Sequence, residues 1–278
     1  MRRGARGGPG EFGDRLRRAE QLAANAQGAA RGPLAVLVAV LGHQVTRAGV
    51  ARGAAPHADA ERLPRLDLDA AAAAVIDELT TAVDALTDAV PGELVGAGAR
   101  LQALGPSELA AVVETWLDDP VLVEPRLAFW IKVAASPVLE HGARDVGTPR
   151  EWKGAACPMC GGAAQASVIA EESGEFMAGS PCSLVCGRCA SWWTFPRVTC
   201  ARCGDDDSSH IDSFLVEDQR WVRVDTCATC RGYVKTFDLR QPGAVGVVPL
   251  VDDVATATLD VWAQQRGYSR PAQSLAGV

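Results

Sequence analysis

Apolar residues in the first half of the chain recur every three or four positions, and that spacing predicts helices. The pattern runs from Asp14 to Leu41, with a break expected at Gly32-Pro33. Val75, Leu79, Val83, Leu86 and Val90 form the stripe of a helix with one buried face, and Pro91-Gly92 is its expected stop. Ser107 is placed to cap the next helix, which turns Leu109, Val112, Trp116 and Leu117 inward. Leu127 to Ala135 predicts another. Arg52 to Pro64 is polar and predicts a loop, and Pro137 to Lys153 predicts a linker. Near residue 150 the period changes. Ser167–Ala170, Trp192–Val198, Ile211–Val216 and Val222–Val224 are short strand-like runs between turn residues. Helical spacing returns over Leu250 to Gly267, with Val251, Val254, Thr258, Val261 and Trp262 on one face and Gly267 at the C-terminal stop.

The fold class expected is therefore α+β. Residues 1–12 form a disordered leader, 13–148 an all-helical domain, 149–248 a double metal-binding domain, and 249–278 a C-terminal helix and tail. A chain of 278 residues can fill two ordinary domains. Its net charge of -7 argues against a basic field that would attract nucleic acid. No run of eighteen apolar residues occurs, so no membrane span is expected. Arg2-Arg3 is followed by no apolar stretch, and the leader is not read as a targeting segment. The expected location is cytoplasmic, where paired cysteines hold metal or do redox work more often than they form disulfides.

All nine cysteines lie between Cys157 and Cys230. Eight form Cys-x-x-Cys pairs: Cys157/Cys160, Cys186/Cys189, Cys200/Cys203 and Cys227/Cys230. Two intervening residues let the chain turn so that both sulfurs face one ion, and two such knuckles make a tetrahedral four-sulfur site that suits zinc or iron. Gaps of 25 residues after Cys160 and 23 after Cys203 each fit a hairpin that folds one knuckle onto the next, while only 10 separate Cys189 from Cys200. The pairing expected is first with second and third with fourth, and a cross-braced arrangement is the alternative. Such a knuckle wants a positive φ just after its second cysteine, where Gly161 and Gly204 fit and Ala190 and Arg231 do not. Spacing alone favours structural zinc.

Arg188 and Arg202 lie inside knuckles, with Arg231, Arg197 and Lys235 nearby, placed to offset thiolate charge. Cys182 reads as a strand residue outside the sites, His210 and Asp205–Asp207 as a polar loop, and Trp192, Trp193 and Trp221 as cover for a small core. No serine nucleophile, phosphate loop or catalytic carboxylate pair emerges, and no enzyme is expected.

The cysteine half resembles the formate dehydrogenase accessory protein FdhE family. The resemblance rests on Cys157-Pro-Met-Cys-Gly, Cys186-Gly-Arg-Cys, Trp193, Arg197-Val198, Cys200-Ala-Arg-Cys, Cys227-Ala-Thr-Cys-Arg-Gly-Tyr233-Val-Lys235, Asp252-Asp253 and Gly267-Tyr268. Arg231 departs from the glycine usual there. The resemblance implies a cytoplasmic chaperone-like accessory factor that binds the catalytic subunit of a formate dehydrogenase and supports its activation. It also implies two rubredoxin-like sites, carrying iron with zinc as the alternative occupant. Two other functions fit the cysteines: a zinc-ribbon nucleic-acid binder, which acidic residues 205–207, 217–218 and 252–253 oppose, and a rubredoxin-like electron carrier, which leaves the helical half unexplained.

Overall fold

The computed structural model describes residues 10–59, 61–149, 151–170, 182–217 and 219–275. Most of the expected leader lies outside the described residues. Its end does not, because Phe12 opens the first helix and is buried. The fold is α+β: a helical half, a C-terminal half built on two four-cysteine modules, and closing helices.

Among the described residues, six α-helices make the first half: α1 (Phe12–Asn25), α2 (Arg31–Arg47), α3 (Leu68–Leu86), α4 (Gly92–Ala103), α5 (Pro106–Asp118) and α6 (Pro125–Val146). The stripe on α3 is buried from Val75 to Leu86, against α6 and α5. Prolines displace several expected boundaries. Gly32-Pro33 sits in the first turn of α2, where an N–H has no helical partner to lose, so the break falls earlier, at residues 26–30. Pro91-Gly92 opens α4. Ser107 is inside α5 and not its cap, because Pro106 already begins the helix and Glu108 Oε2 accepts from the Gly105 N–H at 3.1 Å.

The linker expected from Pro137 is also helix, and α6 runs on to Val146 with Pro137 inside it. A proline there deprives the carbonyl four residues back, Val133, of its donor. Gln44 of α2 supplies one: its Nε2 donates to Val133 O at 3.0 Å, and Gln44 is buried. Buried apolar residues on both sides of Pro137 then hold the helix in the core. The polar loop 52–64 occurs as expected, and the residues after it lie on the first knuckle. Arg65 N and Leu66 N donate to Pro158 O and Met159 O at 3.0 and 2.9 Å.

Among the described residues, six strands form one sheet in the order β3-β2-β1-β6-β5-β4: β1 (Ala164–Ile169), β2 (Cys182–Cys186), β3 (Trp192–Thr194), β4 (Ile211–Leu215), β5 (Val222–Cys227) and β6 (Tyr233–Asp238). Each module contributes three consecutive strands, and the parallel pair β1/β6 joins them. β2 and β6 have no counterpart among the predicted runs. Cys182–Cys186 was masked by its cysteines, and Lys235 interrupts the apolar pattern of β6.

The single C-terminal helix expected is two, α7 (Pro249–Ala255) and α8 (Ala257–Gln265). Lys235 Nζ donates to Asp253 O at 2.6 Å and contacts Thr256 O at 3.4 Å, and Thr256 leaves helical geometry at φ -104° and ψ 27°. The buried face carries Asp252, Asp253 and Asp260, whereas Thr258 and Val261 are exposed. Gly267 does end the helix, at φ +77°.

Replacing Gln44 with leucine leaves the Val133 carbonyl without a donor in an apolar core. We expect a loss of about 1–3 kcal/mol, read as a lowered denaturant midpoint with an unchanged m-value.

Candidate metal centre

Each knuckle is built by the same backbone device. The N–H of the first cysteine donates to the carbonyl five residues on: Cys157 to Gly162, Cys186 to Ser191, Cys200 to Asp205 and Cys227 to Gly232, all at 2.8–2.9 Å. The residue after the second cysteine must then adopt a positive φ, and all four do: Gly161 at 68°, Ala190 at 53°, Gly204 at 76° and Arg231 at 54°. Ala190 and Arg231 accept the strain that glycine avoids. Amides inside the turns point at sulfur, with Met159 N on Cys157 Sγ at 3.4 Å, Arg188 N on Cys186 Sγ at 3.3 Å and Arg202 N on Cys200 Sγ at 3.4 Å.

Hairpins then bring the knuckles together. In β1/β2, Ala164 lies opposite Cys186, and in β4/β5, Ile211 lies opposite Cys227. Two clusters result, Cys157/Cys160/Cys186/Cys189 and Cys200/Cys203/Cys227/Cys230, each with its four sulfurs within 4.8 Å of one another. Sulfur separations of 3.4 and 3.6 Å in the first and 3.6 and 3.9 Å in the second exclude disulfides. A tetrahedral ion with metal–sulfur bonds of about 2.3 Å places its sulfurs about 3.8 Å apart. Both sets fit, so the chain can hold two metal ions.

The electrostatics agree. In the first cluster burial pushes the Cys157 and Cys189 thiols far up. Burial opposes ionisation of Cys186 too, but hydrogen bonds from Cys157, Cys160 and Cys189 outweigh it and hold that thiol far down. Ionising the buried Cys157 and Cys189 thiols beside Cys186 therefore calls for a cation to supply the missing charge. In the second, burial pushes Cys200 up to about 12, while backbone N–H groups and neighbouring thiols bring Cys227 down.

The two clusters differ in setting. All four cysteines of the first are buried, in the same apolar core as α3, α5 and α6. In the second, Cys203 is exposed and Cys230 half-exposed.

Residues 198–276 match the FdhE C-terminal domain family. The chain is 28% identical over 183 residues to a protein FdhE homolog of Aquifex aeolicus, a segment that covers 64% of this chain and 61% of the relative. A homolog from Haemophilus influenzae is 32% identical over 115 residues, 41% of this chain and 35% of the relative. The chain is thus similar to FdhE proteins, and its residues 198–276 to their C-terminal domain. It matches less than two thirds of the length of either FdhE homolog. Its fold is that of the crystal structure of the FdhE protein from Pseudomonas aeruginosa, with a TM-score of 0.67, 20% identity and 95% of both chains covered.

The other residues that stand out in the sequence fall into three groups. Cys182 is a buried strand residue outside both clusters, with its sulfur 3.3 Å from Ser167 Oγ. Trp193 is buried with its N–H on Gly154 O, and Trp221 stacks on Phe237, so both pack into the protein. His210 bonds Asp205 at 2.9 Å, which raises its pKa, and its carbonyl accepts from Ala228 N in the fourth knuckle.

The arginines serve the frame more than the sulfurs. Arg188 is buried, reaches Leu117 O at 2.6 Å and Asp118 O at 3.2 Å, and lies over Trp116, which locks the second knuckle to the end of α5. Arg231 lies over Tyr268, 4.0 Å from its ring centre, and Arg202 bonds Ser269 Oγ at 2.7 Å, so both hold the segment after α8 against the second cluster.

Lys235 departs most from expectation. It does not face a cluster. Its ammonium is fully buried between Asp253 and Asp260 at 2.8 and 2.6 Å, with Arg270 on the same two carboxylates at 3.0 and 2.9 Å. Tyr233 Oη donates to Asp260, and Gln165 of β1 to Asp253. Burial alone would raise the Asp253 pKa, but the Arg270 and Lys235 charges outweigh it and hold it down at about 2. Asp252, one of the acidic residues that oppose a nucleic-acid role in the sequence, is buried on Arg18 at 2.6 Å. An acidic pair opening a helix gives no sign in sequence that its cations lie on another strand and in the tail.

Two variants test these frames. Ala190→Gly removes the left-handed strain and should leave stability within about 1 kcal/mol, whereas Ala190→Val, β-branched at the same φ, should cut the bound metal from two ions per chain toward one by elemental analysis. Lys235→Met leaves two buried carboxylates facing Arg270 alone and should cost about 3–5 kcal/mol. The double variant Lys235→Met/Asp260→Asn should regain part of that loss in equilibrium unfolding.

Proposed function

We propose that this chain is a non-catalytic, cytoplasmic accessory factor for a formate dehydrogenase. It binds the catalytic subunit and helps bring it to an active state. The observation that carries this reading is the pair of four-cysteine sets on one sheet against a helical half, the second set lying inside the segment similar to the FdhE C-terminal domain. The eight ligands are Cys157, Cys160, Cys186 and Cys189 for the first ion and Cys200, Cys203, Cys227 and Cys230 for the second. Both ions are iron, and zinc suits the same sulfurs. Iron bound in this way can change oxidation state without leaving its ligands. The chain's own part is to hold the thiolates, with amide donors and the covering sheet, and to present the surface around them. Among the described residues no helix is long and apolar enough to cross a membrane.

A tagged chain expressed in its native cells should recover the catalytic subunit of a formate dehydrogenase, and deletion should abolish formate oxidation. Recovery of no such subunit together with unchanged formate oxidation would overturn the reading. Iron is tested apart from this, by a visible thiolate-to-iron absorption that bleaches on reduction; a colourless chain with two zinc ions would replace iron with zinc. Cys→Ser at any one of the eight positions should lower metal content by one ion and make that module sensitive to protease.

A further inference from the structure

Two cavities meet over the first four-cysteine set. The larger, about 610 Å³, lies between α5, the start of α6, the backbones of Gly161 and Gly187, and the segment Pro271–Leu275. The smaller, about 300 Å³, shares Asp118, Gly161 and Arg188 with it and reaches Cys160. Leu94, Trp116, Pro125 and Phe129 give the larger cavity an apolar lining. Beside it, on the turn Pro120–Leu122, Val121 and Leu122 are each 69% exposed. Two adjacent exposed aliphatic side chains next to an apolar cavity form a surface that gains by being covered.

The rim is acidic. Glu93, Asp118, Asp119 and Glu124 border the larger cavity, and Asp69 and Glu114 the smaller. Arg126, Lys132 and Arg188 are the cations among the described lining residues, and each is engaged. Arg126 pairs with Glu93 and Glu124. Lys132 donates to Gln165 Oε1 and Gln273 O, and Arg188 to the carbonyls at the end of α5. Of these three only Arg126 is exposed. Four thiolates around a divalent ion carry net negative charge just beneath the shared wall, and this adds to the field of the carboxylates.

We propose that this groove docks an extended segment of the client polypeptide, with apolar side chains in the larger cavity and lysine or arginine on either side of them against the carboxylate rim. The proposal rests on the reading that the chain binds a client, and it names where and by what chemistry. A polypeptide is the occupant because the acidic rim repels phosphate backbones and attracts lysine and arginine, and the apolar lining beside the exposed Val121 and Leu122 takes apolar side chains. Attraction between opposite charges sets the register of the segment and speeds encounter, and the apolar anchor holds it.

The test uses the full metal-loaded chain and fluorescein-labelled peptides. One carries Lys-Arg-Leu-Phe-Lys-Arg, a second has glutamate in place of every cation, and a third has serine in place of Leu-Phe. By anisotropy the first should bind at least about tenfold tighter than either control, less tightly as salt rises. Glu114→Lys/Asp118→Lys and Val121→Ser/Leu122→Ser should each weaken it by about tenfold while keeping two metal ions and the parent unfolding midpoint. Equal binding of all three peptides, or full binding by both variants, overturns the groove. Recovery of the catalytic subunit from native cells separates the two claims. If the parent chain and Glu114→Lys/Asp118→Lys recover it equally, the groove is wrong and the accessory function stands. If the parent recovers none while the peptide and variant results hold, the groove stands as a site for another basic segment and the client reading fails.

Discussion

Four thiolates cannot be crowded within a few ångströms of one another in a protein interior without positive charge between them. That constraint shapes the C-terminal half of this chain. It demands turns tight enough to aim two sulfurs at one point, and the amide-to-carbonyl closure repeated at Cys157, Cys186, Cys200 and Cys227 meets the demand. It demands hairpins to bring two turns together, and β1/β2 and β4/β5 supply them. The sheet is thus arranged by its ligands as much as by its apolar face. This explains why strands as short as Trp192–Thr194 persist.

The second half of the structure relies on a charge arrangement of another kind. Lys235 and Arg270 face Asp253 and Asp260 with no surplus of either sign, and the ring of contacts ties β6, α7, α8 and the segment after α8 into one body. Buried ion pairs of this type seldom add net stability over an apolar core, but breaking one partner is costly. Their effect is on placement. Lys235 draws the Asp253 and Thr256 carbonyls toward itself, and the helix breaks at that point.

The cysteine grouping was legible in the sequence because its chemistry is local: a two-residue gap within a pair and a hairpin-sized gap between pairs. The burial of Val75, Leu79, Val83 and Leu86 was legible because periodicity reports a buried face directly. Three features were not, and each depends on a partner far along the chain. Pro137 reads as a helix end until Gln44 is seen to supply the missing donor. Asp252 and Asp253 read as acidic groups that oppose nucleic-acid binding until Arg18 and Lys235 are placed beside them. Arg188 reads as a counterion for sulfur, whereas its guanidinium is spent on the carbonyls of Leu117 and Asp118.

The last of these bears on why one site lies deep and the other shallow. Arg188 joins its knuckle to α5, residues 65 and 66 bond the first knuckle, and the first cluster shares a continuous apolar core with the helices. An ion held there would fix how the two halves of the protein meet. The second cluster is clasped by Arg202, Arg231 and the segment after α8, all near the surface, and Cys203 is open to solvent. Opening it disturbs local contacts only. The two sets share their chemistry but not their setting: the first lies in the core that joins the two halves, and the second at one edge of the sheet.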